Sequence, residues 1–291
     1  MMRNKVEISV IIPIYKGQEY VRAIMTTIQK NSEKFDEGSI ELILVNDYPE
    51  IPLVVVPEED IRFKLITIEN PKNLGIQATR INGLSKAEGK YIMFLDQDDK
   101  LSDDALFSQY SKIGEGSAII SNGYYEDSAG NQLRLFKNFE QQKLVNDFKY
   151  YFYFGNLIAS PGLVLIRKDA IPNIWVDNIM TINGADDWLL WVSFLTTHKF
   201  KINTDFLYTH CNVGENASDN EIQMLCSSKE ALDIFKLLKS DSKLVKVYER
   251  RLQMRSGYRS REFSIKKIYQ YLINIDILWY VLKFKLKFRW R

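Results

Sequence analysis

Cysteine and histidine are scarce in this chain: its 291 residues include two cysteines, Cys211 and Cys226, and two histidines, His198 and His210. The cysteines lack metal-type spacing and make no disulfide framework. Nothing in the opening Met-Met-Arg-Asn-Lys-Val-Glu reads as cleavable, so the expected setting is the reduced cytosol. Low-complexity tracts and internal repeats are also missing. The segment after the first expected strand, Tyr15-Lys16-Gly17-Gln18-Glu19, has one glycine. It therefore lacks the Gly-x-Gly-x-x-Gly loop of a dinucleotide oxidoreductase, and argues against the glycine-rich basic loop of a sugar-1-phosphate nucleotidyltransferase. Near the C-terminus the longest apolar run, Tyr271 to Leu282, is interrupted by Asn274 and Asp276. A run that short cannot span a hydrocarbon core.

The composition, 46% apolar and 26% charged, is that of a globular protein. Its length admits one large α/β domain with an appendage, or two small domains. Charge is unevenly placed. Residues 246–291 hold thirteen Lys or Arg against Glu249, Glu262 and Asp276, a net of +10, whereas the remainder carries −8. An acidic body with a basic tail points the tail towards an anionic surface.

Hydrophobic runs predict strands over 7–14, 40–46, about 63–69 and 91–95, with helices over about 18–31 and 75–87. This order gives a mostly parallel sheet with helices on both faces. Ser102 reads as the N-cap of a helix with Asp103 and Asp104 in its first turn. A strand and hairpin follow over 117–136, turning at Ala129-Gly130-Asn131. A further strand is expected over 162–167, a helix over about 186–197, and mainly helix from about 220.

The richest segment runs Gly89-Lys90-Tyr91-Ile92-Met93-Phe94-Leu95-Asp96-Gln97-Asp98-Asp99. A buried strand there ends in three carboxylates, at the sheet edge where α/β proteins bind ligands. Acids so close repel unless a cation joins them, and a divalent ion bridging nucleotide phosphates is an economical partner. A solvated turn is the plainer reading.

From Asn73 the chain reads Asn-Leu-Gly-Ile-Gln-Ala-Thr-Arg-Ile-Asn-Gly and continues into Asp-Gln-Asp-Asp. This resembles the nucleotide-binding half of family 2 glycosyltransferases, densely over 6–105 and thinly to about 215. The resemblance implies a GT-A fold in the α/β class, with a glycosyltransferase domain over 1–218 and a helical, basic, amphipathic region over 219–291. It implies that Asp98 coordinates Mn²⁺ or Mg²⁺, and that Asp96 contacts the donor ribose or assists the metal. Pro13 and Tyr15 match the family's Pro-x-Tyr, Asp47 lies in its Asp-Asp position, and Arg80 matches a base- or phosphate-side arginine after Asn73. The chain departs from the pattern at Asn46, at Tyr48-Pro49 and at Ile81, which leaves the uracil contact open. Turn formation is the alternative for Asn46, an exposed salt bridge that for Arg80.

Gly184-Ala185-Asp186-Asp187-Trp188-Leu189-Leu190-Trp191 is similar to the family's Glu-Asp-Trp-x-Leu-Trp. The resemblance makes Asp187 the general base of an inverting displacement, with Asp186 in support. Paired acids at a helix start also suit the helix dipole without any catalysis. His198, at a helix end, is explained by that dipole. His210 precedes the segment Cys211-Asn-Val-Gly-Glu-Asn-Ala-Ser, which in related enzymes closes over the donor and can lend a metal ligand. The aromatic run Tyr150-Tyr-Phe-Tyr-Phe either lines an acceptor cleft or is core. In the tail, aromatics interleaved with bases suit a helix lying in a membrane interface, with an oligomer contact or a helical cap as alternatives.

The expectation is a metal-dependent inverting transferase of the hexosyl or N-acetylhexosaminyl type. It would use a UDP-sugar on a saccharide acceptor, in lipid-linked form, at the cytoplasmic face of the membrane. A catalytically silent sugar-nucleotide-binding subunit stays open as the alternative, and no nucleic-acid recognition module is visible.

Overall fold

The computed structural model describes residues 5–55, 60–212, 220–239, 242–257 and 272–288. Within them one mixed sheet runs in the order Lys64–Glu69, Ile40–Asn46, Ile8–Ile14, Tyr91–Phe94, Val164–Arg167, Ala118–Glu126, Phe200–Cys211 and Lys100–Leu101, with Gln132–Arg134 paired to Ala118–Glu126. Its first half is parallel. β1 (Ile8–Ile14) pairs with β2 (Ile40–Asn46) and β4 (Tyr91–Phe94), and β2 pairs with β3 (Lys64–Glu69). β1, β2 and β4 are nearly continuous Val, Ile, Leu, Met and aromatic residues because helices cover both their faces. α1 (Val21–Ser32) and α2 (Ile76–Lys86) make the crossovers. Gly83 lets α2 lie close to the sheet: a Cβ there would stand 2.4 Å from the Ile11 side chain.

The second half reverses direction. β8 (Val164–Arg167) runs antiparallel to β4 and to β6 (Ala118–Glu126), while β9 (Phe200–Cys211) runs parallel to β6 and antiparallel to β5 (Lys100–Leu101). The expected hairpin joins β6 to β7 (Gln132–Arg134), with Gly130 at φ 82° in the turn.

The Ser102 cap needs correcting. α3 (Ala105–Ile113) starts later, and Asn31 of α1 caps it from outside by accepting from the Leu106 amide at 3.0 Å. A buried amide that also donates to the Ser102 carbonyl satisfies both chains at once, which no local pattern reveals.

α4 (Phe139–Gln142), α5 (Phe148–Tyr153), α6 (Asn173–Asp177) and α7 (Asp186–Phe194) complete the body. α8 (Glu221–Lys236) and α9 (Lys243–Gly257) pack on α7 and α5, sharing one core through Leu232, Phe235, Tyr248 and Leu252. α10 (Ile275–Phe288) closes over α5. Much of the basic, aromatic tail, residues 258–271 and 289–291, lies outside the described residues, as does most of the segment after Cys211.

Candidate active site

The parallel register places the C-terminal ends of β1, β2 and β4 side by side, so Tyr15, Asp47 and Asp96 emerge on one rim. Arg80 lies at the centre. It is 1% exposed, and its guanidinium meets three carboxylates: Asp96 at 2.6 Å, Asp187 at 2.8 Å and Asp186 at 2.9 Å. Asp96 follows β4 in the Asp-Gln-Asp-Asp motif, whereas Asp186 and Asp187 open α7 from the other half of the chain. The exposed salt bridge considered for Arg80 is therefore replaced by a buried hub. Its ordinary charge is reinforced by the carboxylates, which raise its pKa against the cost of burial.

One guanidinium cannot neutralise three acids, of which Asp186 is buried and Asp96 and Asp187 are half-buried. Burial, with Asp186 and Asp96 adding repulsion, raises Asp187 to about 7 against the pull of Arg80. Asp186 is raised for the same reason, burial first. Trp175 Nε1 donates to the Asp186 carbonyl at 3.1 Å and Trp188 Nε1 to the Tyr151 carbonyl at 2.9 Å, so the start of α7 is anchored on both sides.

Asp98 is different. Among the described residues no side chain donates a hydrogen bond to it, and burial together with Asp99 and Asp96 pushes its pKa up to about 6. Asp96 is already occupied, through one oxygen by Arg80 and through the other by Ser160 Oγ at 3.2 Å. His210 directs Nδ1 to Asp99 at 3.1 Å, and this bond raises its pKa. Asp99 also accepts from the Tyr208 hydroxyl and from the Cys211 amide. Asp99 thus ties the motif to β9 and fixes the histidine ring, leaving Nε2 as the ring's other face. Among the described residues no three His, Cys, Asp or Glu side chains form a closed metal cage. Asp98, desolvated and short of positive partners, nonetheless suits a divalent cation that takes its remaining ligands from elsewhere.

The rim around β2 is fully engaged. Asp47 accepts from Asn70 Nδ2 and the Leu74 amide at 2.8 Å each, and from the Gly75 amide at 3.0 Å. Asn73 Oδ1 adds a bond to that same amide. Asn46 accepts from the Tyr48 amide at 3.1 Å and donates to Glu69 and to the Ile51 carbonyl, which is the turn-forming role. Pro13 is half-buried within β1 opposite Val45. Tyr15 stands exposed and edge-on to Tyr48, ring centroids 5.3 Å apart, with Lys16 Nζ 4.9 Å from the Tyr48 ring.

Four contributors escaped the sequence reading. Gln97, the variable position of the acidic motif, clamps the peptide of Tyr15, accepting from its amide at 2.9 Å and donating to its carbonyl at 3.2 Å. Gly17 makes room for it, since a Cβ there would stand 2.2 Å from the Gln97 side chain. Asn183 accepts from the Ile76 amide at 3.2 Å and so caps α2 from the α7 side. Ser160 positions Asp96. Their signal is spatial, and only Gly17, lone in its loop, marks a close approach in sequence. His198 meets Ser117 and stacks on Phe194, away from these acids. Tyr151 and Phe152 are buried, Phe152 against Trp188, Phe235 and Tyr248, so the aromatic run is core.

A family model for glycosyl transferase family 2 matches residues 9–175. An uncharacterized glycosyltransferase of Haemophilus influenzae is 33% identical over 135 residues, covering 44% of this chain and 51% of that protein. This chain thus spans about half the length of that relative. The GalNAc(5)-diNAcBac-PP-undecaprenol beta-1,3-glucosyltransferase of Campylobacter jejuni is 24% identical over 272 residues, 89% of this chain and 83% of its own. The crystal structure of S. aureus TarS 1–349 in complex with UDP-GlcNAc superposes with a TM-score of 0.61 at 17% identity, over 94% of this chain and 80% of that one. At that identity the likeness establishes the shared fold.

Proposed function

The chain belongs to glycosyl transferase family 2, and from that premise we propose that it moves one sugar from a UDP-sugar to a hydroxyl of a lipid-linked saccharide, with inversion at the anomeric carbon. The observation that carries this reading is the Arg80 hub, which draws donor-side Asp96 and acceptor-side Asp187 to one cation. A catalyst of sugar transfer must hold donor and acceptor within reach of each other, and this contact joins the two halves that would do so.

Asp187 is the base. A pKa near 7 suits a group that takes a proton from an acceptor hydroxyl at neutral pH, and Arg80 holds its carboxylate in place. Asp186 shares the charge of Arg80 and fixes the start of α7. Asp96 is oriented by Arg80 and Ser160 towards the donor. Tyr15, Tyr48 and Lys16 frame the nucleoside, on a rim that Asp47, Asn46 and Asn73 make rigid. A divalent cation, Mn²⁺ or Mg²⁺, fits at Asp98, with His210 beside it and Asp96 in support, and when bound would stabilise charge on the departing diphosphate. UDP is favoured because TarS, of the same fold, binds UDP-GlcNAc.

The lipid-linked acceptor rests on the Campylobacter relative, which covers most of this chain. Such an acceptor places the protein at the cytoplasmic membrane face, held peripherally by residues 219–291, with 1–218 as the catalytic domain. Incubation with a panel of sugar nucleotides and Mn²⁺, with release of free nucleotide as readout, tests the reading. Release abolished by Asp98→Ala supports it, and failure to bind any sugar nucleotide refutes it.

A further inference from the structure

The outward face of α10 is apolar. Its inner face is pinned to the body: Ile277 and Phe284 are buried, and Tyr280 stacks on Tyr153 at 4.3 Å and meets Tyr150 at 5.0 Å. Arg250 and Asp276 pair at 2.6 Å along the flank. On the opposite arc Ile275 is 63% exposed, Trp279 64% and Leu282 48%, and Leu272, just ahead of the helix, is 63% exposed. Spacings of four and three residues place Ile275, Trp279 and Leu282 on one stripe of α10, with Leu272 ahead of its start. Scattered exposed apolar residues are ordinary, but a contiguous stripe marks an interaction surface.

We propose that this stripe is a membrane-docking surface, with Leu272, Ile275, Trp279 and Leu282 seated at the headgroup boundary of an anionic bilayer. Length favours a helix lying in the interface: the 14 residues of α10 extend about 21 Å, short of the ~30 Å hydrocarbon core. None of the described helices is long and apolar enough to cross a membrane. Charge selects the occupant. Lys283 is exposed beside the stripe, and residues 246–291 carry a net +10. A second copy would oppose like charges, whereas anionic headgroups complement them. An exposed tryptophan among aliphatics is typical of the bilayer interface.

The position of the stripe connects to the site. α10 packs on α5, whose Tyr151 carbonyl accepts from Trp188, the neighbour of Asp187. α10 is thereby linked through α5 to the helix that opens with Asp186 and Asp187. This inference rests on the lipid-linked acceptor reading only for its purpose, since the surface itself is measurable without any sugar.

The test is flotation of the full chain with vesicles of phosphatidylcholine alone and of phosphatidylcholine mixed with phosphatidylglycerol. Wild type should float with the mixed vesicles, and added salt should weaken this. Combining Ile275→Ser, Trp279→Ser and Leu282→Ser should lower the bound fraction about tenfold or more, with thermal midpoint and release of nucleotide from a UDP-sugar unchanged. Equal flotation of variant and wild type, or no flotation of wild type, overturns the proposal. So does a wild-type oligomer that the triple substitution makes monomeric without any vesicle binding, because a second copy then covers the stripe. If flotation responds as expected but no UDP-sugar is turned over by either protein, docking stands and the transferase reading falls.

Discussion

The rim at the end of β2 and the hub around Arg80 lie on the same sheet edge, yet they handle acidic groups in opposite ways. At the rim, Asp47 receives three donors, two of them backbone amides, and Asn46 spends its amide on the turn beneath Tyr48. That region is closed and rigid. At the hub three carboxylates share one cation, and Asp98 beside them has no donating side chain among the described residues. Buried charge left unbalanced is costly, so a site that keeps it is completed by what it binds. The difference separates scaffold from chemistry more sharply than the identity of the residues, since both regions are built from aspartates.

Removing the cation should break the comparison most strongly. Arg80→Ala leaves three acids uncompensated and should cost about 3–5 kcal/mol in denaturant unfolding, with Arg80→Lys intermediate. Next, Asp47 and Asp98 should behave as opposites. Asp47→Ala orphans buried donors and should cost about 1–3 kcal/mol, whereas Asp98→Asn should leave stability equal or higher while abolishing Mn²⁺-dependent binding of UDP by calorimetry.

The proton balance sharpens the same contrast. With Asp98 at about 6 and Asp187 at about 7, both above the ordinary carboxylate value, the folded chain binds more protons than the unfolded one between roughly pH 4 and 7. The stability these groups supply is complete below about pH 4 and is lost as pH rises through 6 and 7. Thermal midpoints across that window should fall less for Asp98→Asn than for wild type. The smallest effect concerns the clamp: Gln97→Ala should cost about 1 kcal/mol, and Gly17→Ala should be better tolerated in that background than alone. Equal cost in both backgrounds would show that Gln97 does not fill the space above Gly17.

Much of this organisation is legible in sequence. Uninterrupted runs such as Ile8–Ile14 and Ile40–Asn46 announce buried parallel strands, and the order of elements fixes which acids share an edge. What the chain pattern does not encode is the partner across distance. Arg80 meets Asp187 from another half of the molecule, Asn31 caps α3, and Asp99, readable as a weaker cation ligand or a turn acid, anchors His210 and the end of β9. Periodicity reports the face of an element that is buried, not the group that will meet it there. The alternatives raised for Asn46 and for the aromatic run near Tyr151 describe their contacts, since both follow from local preference and burial.

The central claim is that Asp187 removes the acceptor proton while Asp98 serves the donor. Single-turnover transfer from a bound UDP-sugar, measured with Asp187→Asn, tests it most directly. The account predicts donor affinity like that of wild type with Mn²⁺ present and a transfer rate lower by about 10²–10⁴. Transfer at the wild-type rate from that variant would contradict it.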